Sequence, residues 1–427
     1  MNHPALFGVG SLLWAALACQ TAAPAVAPAA GPAATPAAAP APRPQSQPRL
    51  EVAGGRFAVD EVRIEHSQLP TFVSGLWVED DGALGAVVGD GGEGSRYRLQ
   101  RWPQPAATAA VAAAPEFTIS VDDALLVGRA LWLAGSLSAH DPGTELLRID
   151  GWPTGPATQA ALAVQAVHVP DLPPLHNWRL LDAPPTAGWF AATATPIDPE
   201  QQRRLGTVLL LDDRAARQQQ LVLLHEAGAC LGGSLQSAGD RGSWQVQLAC
   251  NARDGAPLLV VVEQPAGQPL EVRATHLARD PAIAAGVARC LGGPAEQLVD
   301  LRSRGQAMAL AVCRQDSGRP RCGVLELALG VRWIGCAALP EAPDRTIDRI
   351  AWTADGEVLA ASRAGALWRL AASADRFVSL RNATLVGEIA PPRPALSANG
   401  RYVLFGRHAL EPGERAGLVR VDVTPDR

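Results

Sequence analysis

Arg98-Leu-Gln-Arg-Trp102-Pro103-Gln-Pro105 decides the fold, because it returns fifty positions later. Arg148-Ile-Asp-Gly-Trp152-Pro153-Thr-Gly-Pro156 keeps the same frame, and Ala106-Ala-Thr108 is answered by Ala157-Thr158. A second echo lies downstream, where Cys230-Leu-Gly-Gly233 comes back sixty residues on as Cys290-Leu-Gly-Gly293. Each of these cysteines is followed about twenty residues later by another, Cys250 and Cys313. Periods of about 40–60 residues made of short apolar strands mark a radial array of small sheets.

Working outward from that stretch, one unit recurs: an apolar strand, a tight turn, a second strand, a longer polar loop, a third strand and a weaker fourth. Its copies fall at 71–78, 84–88 and 97–102; at 123–127, 130–137 and 146–152; and at 178–181, 189–194, 207–211 and 220–225. They continue at 230–237, 244–250 and 258–263, then at 297–301, 307–313, 324–329 and 332–337. The last two are 347–352, 358–362 and 367–370, then 394–397, 402–406 and 418–423. Each strand is rich in β-branched residues, Leu or Trp, and is bounded by Gly, Pro, Asn or Asp. Dipeptides such as Asp355-Gly356 and Asn399-Gly400 supply the positive φ of hairpin turns. Residues 57–65 read as a strand with no local partner, and the final copy stops after its third strand. The expectation is an all-β, seven-bladed β-propeller over residues 50–427, closed by the N-terminal strand in the last blade. About 375 residues over seven copies is roughly 54 each, close to known repeat lengths. Six or eight blades are the alternatives, because 106–120 and 157–174 do not parse cleanly.

Ala395-Leu-Ser-Ala-Asn-Gly-Arg-Tyr-Val-Leu-Phe405, preceded by a Pro-rich 391–394, resembles the strand–turn–strand repeat of TolB-like and WD40-like periplasmic propellers. Ile350-Ala-Trp-Thr-Ala-Asp-Gly-Glu-Val-Leu-Ala360 is a looser copy. The resemblance covers two of the seven blades. It implies a propeller with a scaffolding or partner-binding habit and carries no catalytic residue across.

Ahead of the array, Leu6 to Leu17 is an apolar run of secretory length, too short for a permanent membrane span. It leads into Ala16-Leu17-Ala18-Cys19, which resembles a bacterial lipobox, with Cys19 as the lipid-attachment residue. Residues 1–19 are therefore expected to be a lipoprotein-type signal segment; the alternative is ordinary cleavage within 20–30. Residues 20–49 follow as an Ala/Pro-rich disordered tether, with twelve Ala and seven Pro in positions 21–44. Extended, such a tether reaches on the order of 90 Å at about 3.1 Å per residue. The expected address is an exported, outer-membrane lipoprotein facing the periplasm or the cell surface, joined to the membrane through its lipid anchor only.

The bulk composition suits a large buried core, with 48% hydrophobic and 19% charged residues. A net charge of −5 with no basic stripe argues against nucleic acid as a partner. All 37 basic residues are Arg, which coding bias explains more simply than selection for anion binding.

Six cysteines remain after Cys19, an even number that in an exported chain implies disulfides. Placing each on a strand pairs Cys230 with Cys250, Cys290 with Cys313 and Cys322 with Cys336. The second arrangement joins Cys313 to Cys322 and Cys290 to Cys336. No Cys-x-x-Cys spacing supports zinc, and no cofactor motif is legible. Gly89-Asp-Gly91-Gly-Glu-Gly94 matches a dinucleotide fingerprint by letters only, since a strand and not a helix follows it. His225-Glu226 is the most enzyme-like pair but lacks partners at catalytic spacing, and Trp77, Trp132 and Trp189 read as packing between blades before they read as a sugar platform.

Function is sought on the loops joining second to third strands, which share one face of the ring. They carry Asp90, Asp141, Asp198, Asp254 and Asp316 as candidate binding residues. The resulting reading is a binding or scaffolding module for a partner protein or cell-envelope component. The alternative is a propeller hydrolase or lyase acting on a polysaccharide or small ester, which would need a tight acid/base cluster that the sequence does not display.

Overall fold

A computed structural model describes the chain from Arg49 to Thr424, apart from residues 53–54, 65–69, 91–96, 104–110, 113–119, 137–145, 153–162, 168–172, 184–188, 214–217, 238–242, 317–318, 329, 340–345, 371–376, 383–391 and 410–413. The expected signal segment, Cys19 and nearly all of the tether lie outside the described residues.

Seven antiparallel sheets follow one another along the chain. Blade 1 is Thr71–Val78, Leu84–Asp90, Tyr97–Trp102 and Val111–Ala112. Blade 2 is Ser120–Val127, Ala130–Ser136, Leu146–Asp150 and Ala163–Val167. Blade 3 is Leu175–Leu180, Trp189–Pro196, Thr207–Asp213 and Gln218–Leu224. Blade 4 is Ala227–Ser237, Trp244–Ala252, Pro257–Gln264 and Glu271–His276. Blade 5 is Gln297–Arg304, Ala307–Asp316, Arg319–Ala328 and Arg332–Ala338. Blade 6 is Arg349–Trp352, Val358–Ala361, Ala366–Leu370 and Phe377–Asn382. Blade 7 takes Ala395–Leu396, Tyr402–Arg407 and Gly417–Asp422 from the end of the chain.

The fourth strand of blade 7 is Gly55–Arg63, paired with the last strand in a register running from Ala58 opposite Asp422 to Arg63 opposite Gly417. Arg420 Nε donates to Asp60 Oδ2 at 3.0 Å and clamps this closure. First strands of successive blades touch, and that of blade 7 meets that of blade 1, so the sheets form a closed seven-bladed ring. One strand was not anticipated: Arg49–Val52 adds outside Gly55–Arg63, making blade 7 five-stranded. The stretches that resist parsing in the sequence hold the short fourth strands of blades 1 and 2.

Second strands are buried on both faces, as in Val358–Ala361, which explains their unbroken apolar runs. Outer strands alternate instead, and Gln218–Leu224 exposes its early Gln residues while burying Val222 and Leu224. The core therefore consists of wedges between neighbouring blades. Trp102 packs among blade 7 and blade 1 residues including Leu84, Leu404 and Leu418. Trp152 repeats that role one blade on, against Trp77, Val87 and Leu99. The fifty-residue echo is thus a structural repeat. Arg101, from the same stretch, is buried in a two-pronged pair with Glu79, at 2.7 and 2.8 Å.

The sixty-residue cysteine echo is not a repeat. Cys230 lies near the start of the first strand of blade 4, whereas Cys290 sits near the end of a helix, Pro281–Leu291, inserted between blades 4 and 5. Gly292 follows as its left-handed cap, φ 73°. Gly232, its counterpart in blade 4, answers a different need: a Cβ there would lie 2.1 Å from Asp300 Oδ1. The disulfides are Cys230–Cys250, Cys313–Cys322 and Cys290–Cys336. The expected Cys290–Cys313 and Cys322–Cys336 bridges are therefore corrected. Cys313 and Cys322 face each other across adjacent strands, and Cys290 ties the helix to the outer strand of blade 5.

Candidate functional site

Because the strands alternate in direction, turns between first and second strands lie on one face of the ring and loops between second and third strands lie on the other. The candidate acids belong to the loop face, and the contacts of two of them, Asp198 and Asp254, are described. Asp141 lies outside the described residues. Asp90 and Asp316 end second strands in blades 1 and 5. Asp198 caps a short helix, Pro199–Leu205, which occupies a stretch expected to be loop, by accepting from Glu200 N–H at 2.9 Å. Asp254 accepts from Ala256 N–H at 3.0 Å within its own turn. Both described carboxylates thus satisfy local backbone, as Asp does in turns and caps. His225 and Glu226 form an exposed two-residue turn between blades 3 and 4.

The aromatic residues also settle into packing. Trp132 stacks on Phe190 with centroids 3.8 Å apart, and Trp77 meets Trp152 edge-on at 5.2 Å. Trp189 tilts against Trp244 at 6.1 Å. Each contact joins neighbouring blades.

The cavities open on the turn face instead, around the ring's axis. One, of about 290 Å³, is lined by the ends of first strands in blades 2, 3, 5, 6 and 7, including Asp182, Arg302, Arg304, Arg349 and Asn399. A second, of about 320 Å³, adjoins it and reaches Glu79, Asp80 and Asp81 of blade 1. Arg349 and Asp182 line both.

Below them lies a clasp built from two similar aspartates. The first strands of blades 2 and 5 each carry a bulge, between Val121 and Asp123 and between Leu298 and Asp300. A bulge re-aims the following side chain. Asp123 Oδ1 accepts from Ala124 N–H at 3.1 Å and Oδ2 from Leu180 N–H of blade 3 at 3.1 Å. Asp300 does the same one side further round, with Leu301 N–H at 3.0 Å and Ile350 N–H of blade 6 at 3.0 Å. Each carboxylate therefore pins the next blade's inner strand.

Each also takes an arginine. Arg302 Nη1 reaches Asp300 Oδ1 at 2.9 Å, and its Nε lies 3.5 Å from Asp182 Oδ2. Arg349 Nη2 reaches Asp123 Oδ1 at 2.5 Å. That last pair joins blade 6 to blade 2, which are separated by two blades on one side and three on the other. It runs across the central channel and forms the floor of the cavities. Burial pushes Asp123 up, but Arg349, Arg393, Arg179 and the Leu180 N–H outweigh it and hold its carboxyl below the usual 3.8. Asp122, beside it, is pushed up by burial, against the pull of Arg179. Burial, with Arg349 and Arg179 alongside, draws Arg393 down from the usual arginine range to about 9; Asp123 and Asp300 offset only part of this.

Asp123, Asp300, Arg302, Arg349 and Arg393 are absent from the sequence-based candidates, which were sought on loops. Their one legible signal is an acid inside an otherwise apolar first strand: Val121-Asp-Asp123-Ala-Leu and Leu298-Val-Asp300-Leu. Among the described residues no cluster of three or more His, Cys, Asp or Glu could hold a metal ion. No described helix is long and apolar enough to cross a membrane.

The strand pairing and the axial cavity define a seven-bladed β-propeller with a charged, clasped channel. No protein-family model and no curated protein matches the sequence. Among solved structures the chain is similar to YCF48 from Cyanidioschyzon merolae, at 9% identity over 85% of this chain and 98% of that one, TM-score 0.46. It is likewise similar to YCF48 bound to D1 peptide, at 11% identity over 89% and 100%, TM-score 0.46. The extracellular domain of BT4673 from B. thetaiotaomicron matches at 10% identity over 84% of this chain and 39% of that one, TM-score 0.43. The blade count rests on the strand pairing described above.

Proposed function

We propose that this chain is an exported binding module, anchored through a lipid at Cys19, that holds a partner protein or cell-envelope component on the turn face of the ring. The observation that carries this reading is the pair of adjoining cavities at the channel mouth, floored by Arg349. A rigid ring with a concave, charged axial recess suits recognition, because the scaffold loses little freedom when a partner docks. Three disulfides favour an oxidising compartment and hence export. The secretory-type run ending at Cys19 and the Ala/Pro-rich stretch after it suit a tethered domain.

Photo-crosslinking groups placed in turn at Arg304, Asn399 and Asp254 test the binding face in the native envelope. Arg304 and Asn399 should capture one discrete partner and Asp254 none; capture at Asp254 alone would move the site to the loop face. Intact mass with lipid labelling tests the anchor. An acylated species beginning at Cys19 is expected, and an unacylated one beginning further on would remove it.

A further inference from the structure

Arg179, Arg349 and Arg393 come together near the channel floor from blades 3, 6 and 7; among the described residues Arg349 pairs with Asp123, while Asp122 draws on Arg179 without a direct bond. Arg393 Nη2 donates to the Asp348 carbonyl at 2.8 Å, and Arg179 Nη1 to the Trp178 carbonyl at 2.8 Å. The Nε atoms of Arg179 and Arg349 are buried without an acceptor among the described residues. A buried guanidinium N–H left unmatched is costly, so such groups normally find an acceptor.

Arg349 is only 7% exposed, and it lines both cavities while Asp123 lines neither. A ligand entering the mouth therefore meets the cation and not its counter-ion. Arg302 and Arg304 stand on the same side of the first cavity, where Asp182 is the one acid among the described lining residues. Asp80 and Asp81 stand on the opposite lip, in the second.

We propose that the channel mouth binds a single oxyanion group of the ligand, a carboxylate or phosphate, seated on Arg349 and flanked by Arg302 and Arg304. This rests on the turn face being the binding face. Guanidinium groups match the two oxygens of such a group in a fixed fork, and the low-dielectric walls of the recess strengthen the pairing. The acidic lip at Asp80 and Asp81 selects for one terminal anionic group over a polyanion, whose further charges it would repel. Burial, and after it the like charges of Arg349 and Arg179, hold the Arg393 pKa down, and an anion in the recess would relieve the like-charge part.

The test is thermal unfolding of the full mature chain against increasing inorganic phosphate or succinate, with chloride adjusted to constant ionic strength. A saturable rise in midpoint is expected, with phosphate alone or succinate alone identifying which oxyanion is taken. Arg349→Gln should abolish the rise. Arg304→Gln, at an exposed position whose guanidinium also donates to the Thr353 and Ala354 carbonyls, should weaken apparent affinity about tenfold, the value of one charge-assisted contact. No saturable rise with either anion, or rises in both variants equal to wild type, would overturn the inference. Continued partner capture at Arg304 and Asn399 in the crosslinking experiment would then leave the binding face standing and remove only its oxyanion chemistry.

Discussion

The two faces of this ring are held by different physics. Toward the loop face, Cys230–Cys250 and Cys313–Cys322 bridge adjacent strands, Cys290–Cys336 fastens a helix to an outer strand, and Asp198 and Asp254 cap their own turns. These contacts are covalent or local in sequence. Around the axis below the turn face, Asp123 and Asp300 pin neighbouring blades, and the Asp123–Arg349 pair joins residues 226 positions apart. The contrast teaches where polarity is stabilising and where it is available. Asp198 and Asp254 are occupied by backbone beside them, whereas Arg179 and Arg349 each keep a buried Nε with no acceptor among the described residues.

The largest expected effect lies at the axis. Asp123→Ala leaves Arg349 buried beside an unmatched Leu180 N–H and should cost about 3–5 kcal/mol, against less than about 1 kcal/mol for Asp254→Ala. Urea denaturation of the two variants checks this; equal losses would break the contrast. Because the Asp123 carboxyl is held below 3.8 in the folded chain, its contribution is complete above that pH and fades as pH falls through the lower folded value. The midpoint difference between wild type and Asp123→Asn should accordingly narrow below pH 3.8.

The covalent face ranks next. Removing Cys290–Cys336, 46 residues apart, should cost up to about 4 kcal/mol, and removing Cys313–Cys322, only 9 apart, about 2.6 kcal/mol. Denaturation of the paired Cys→Ser variants reads this order, and a larger loss for the shorter loop would contradict it. At the axis again, Arg393→Met should raise stability by about 1 kcal/mol or more, since a crowded charge is replaced by an apolar chain. Loss of stability in that variant would show that Arg393 is better compensated than its neighbours indicate. Among the local contacts, Asp198→Ala should cost about 1 kcal/mol through a lost helix cap, more than Asp254→Ala in the same assay.

Blades were legible where the hydrophobic pattern is short in range. Trp102 and Trp152 repeat because each wedges between its own blade and the one before it, a need that recurs with every blade. The cysteine echo misled for an equally local reason. Cys-Leu-Gly-Gly suits a strand whose glycine must admit Asp300, and it also suits a helix end whose glycine must turn left-handed. The letters are identical and the demands are not. The loop-face acids carry no comparable signal, because polar loops look alike whether their carboxylates await a ligand or, as at Asp198 and Asp254, accept from a nearby amide.

What the sequence by itself determined is the number and order of blades and their closure by an N-terminal strand. These follow from strand-length apolar runs, turn dipeptides and one unpaired strand, all properties of neighbouring residues. Only the tertiary structure decided which cysteines meet, which face carries the recess and which arginines floor it. Those facts depend on side chains from blades far apart in sequence converging on one axis, and no local pattern encodes that convergence.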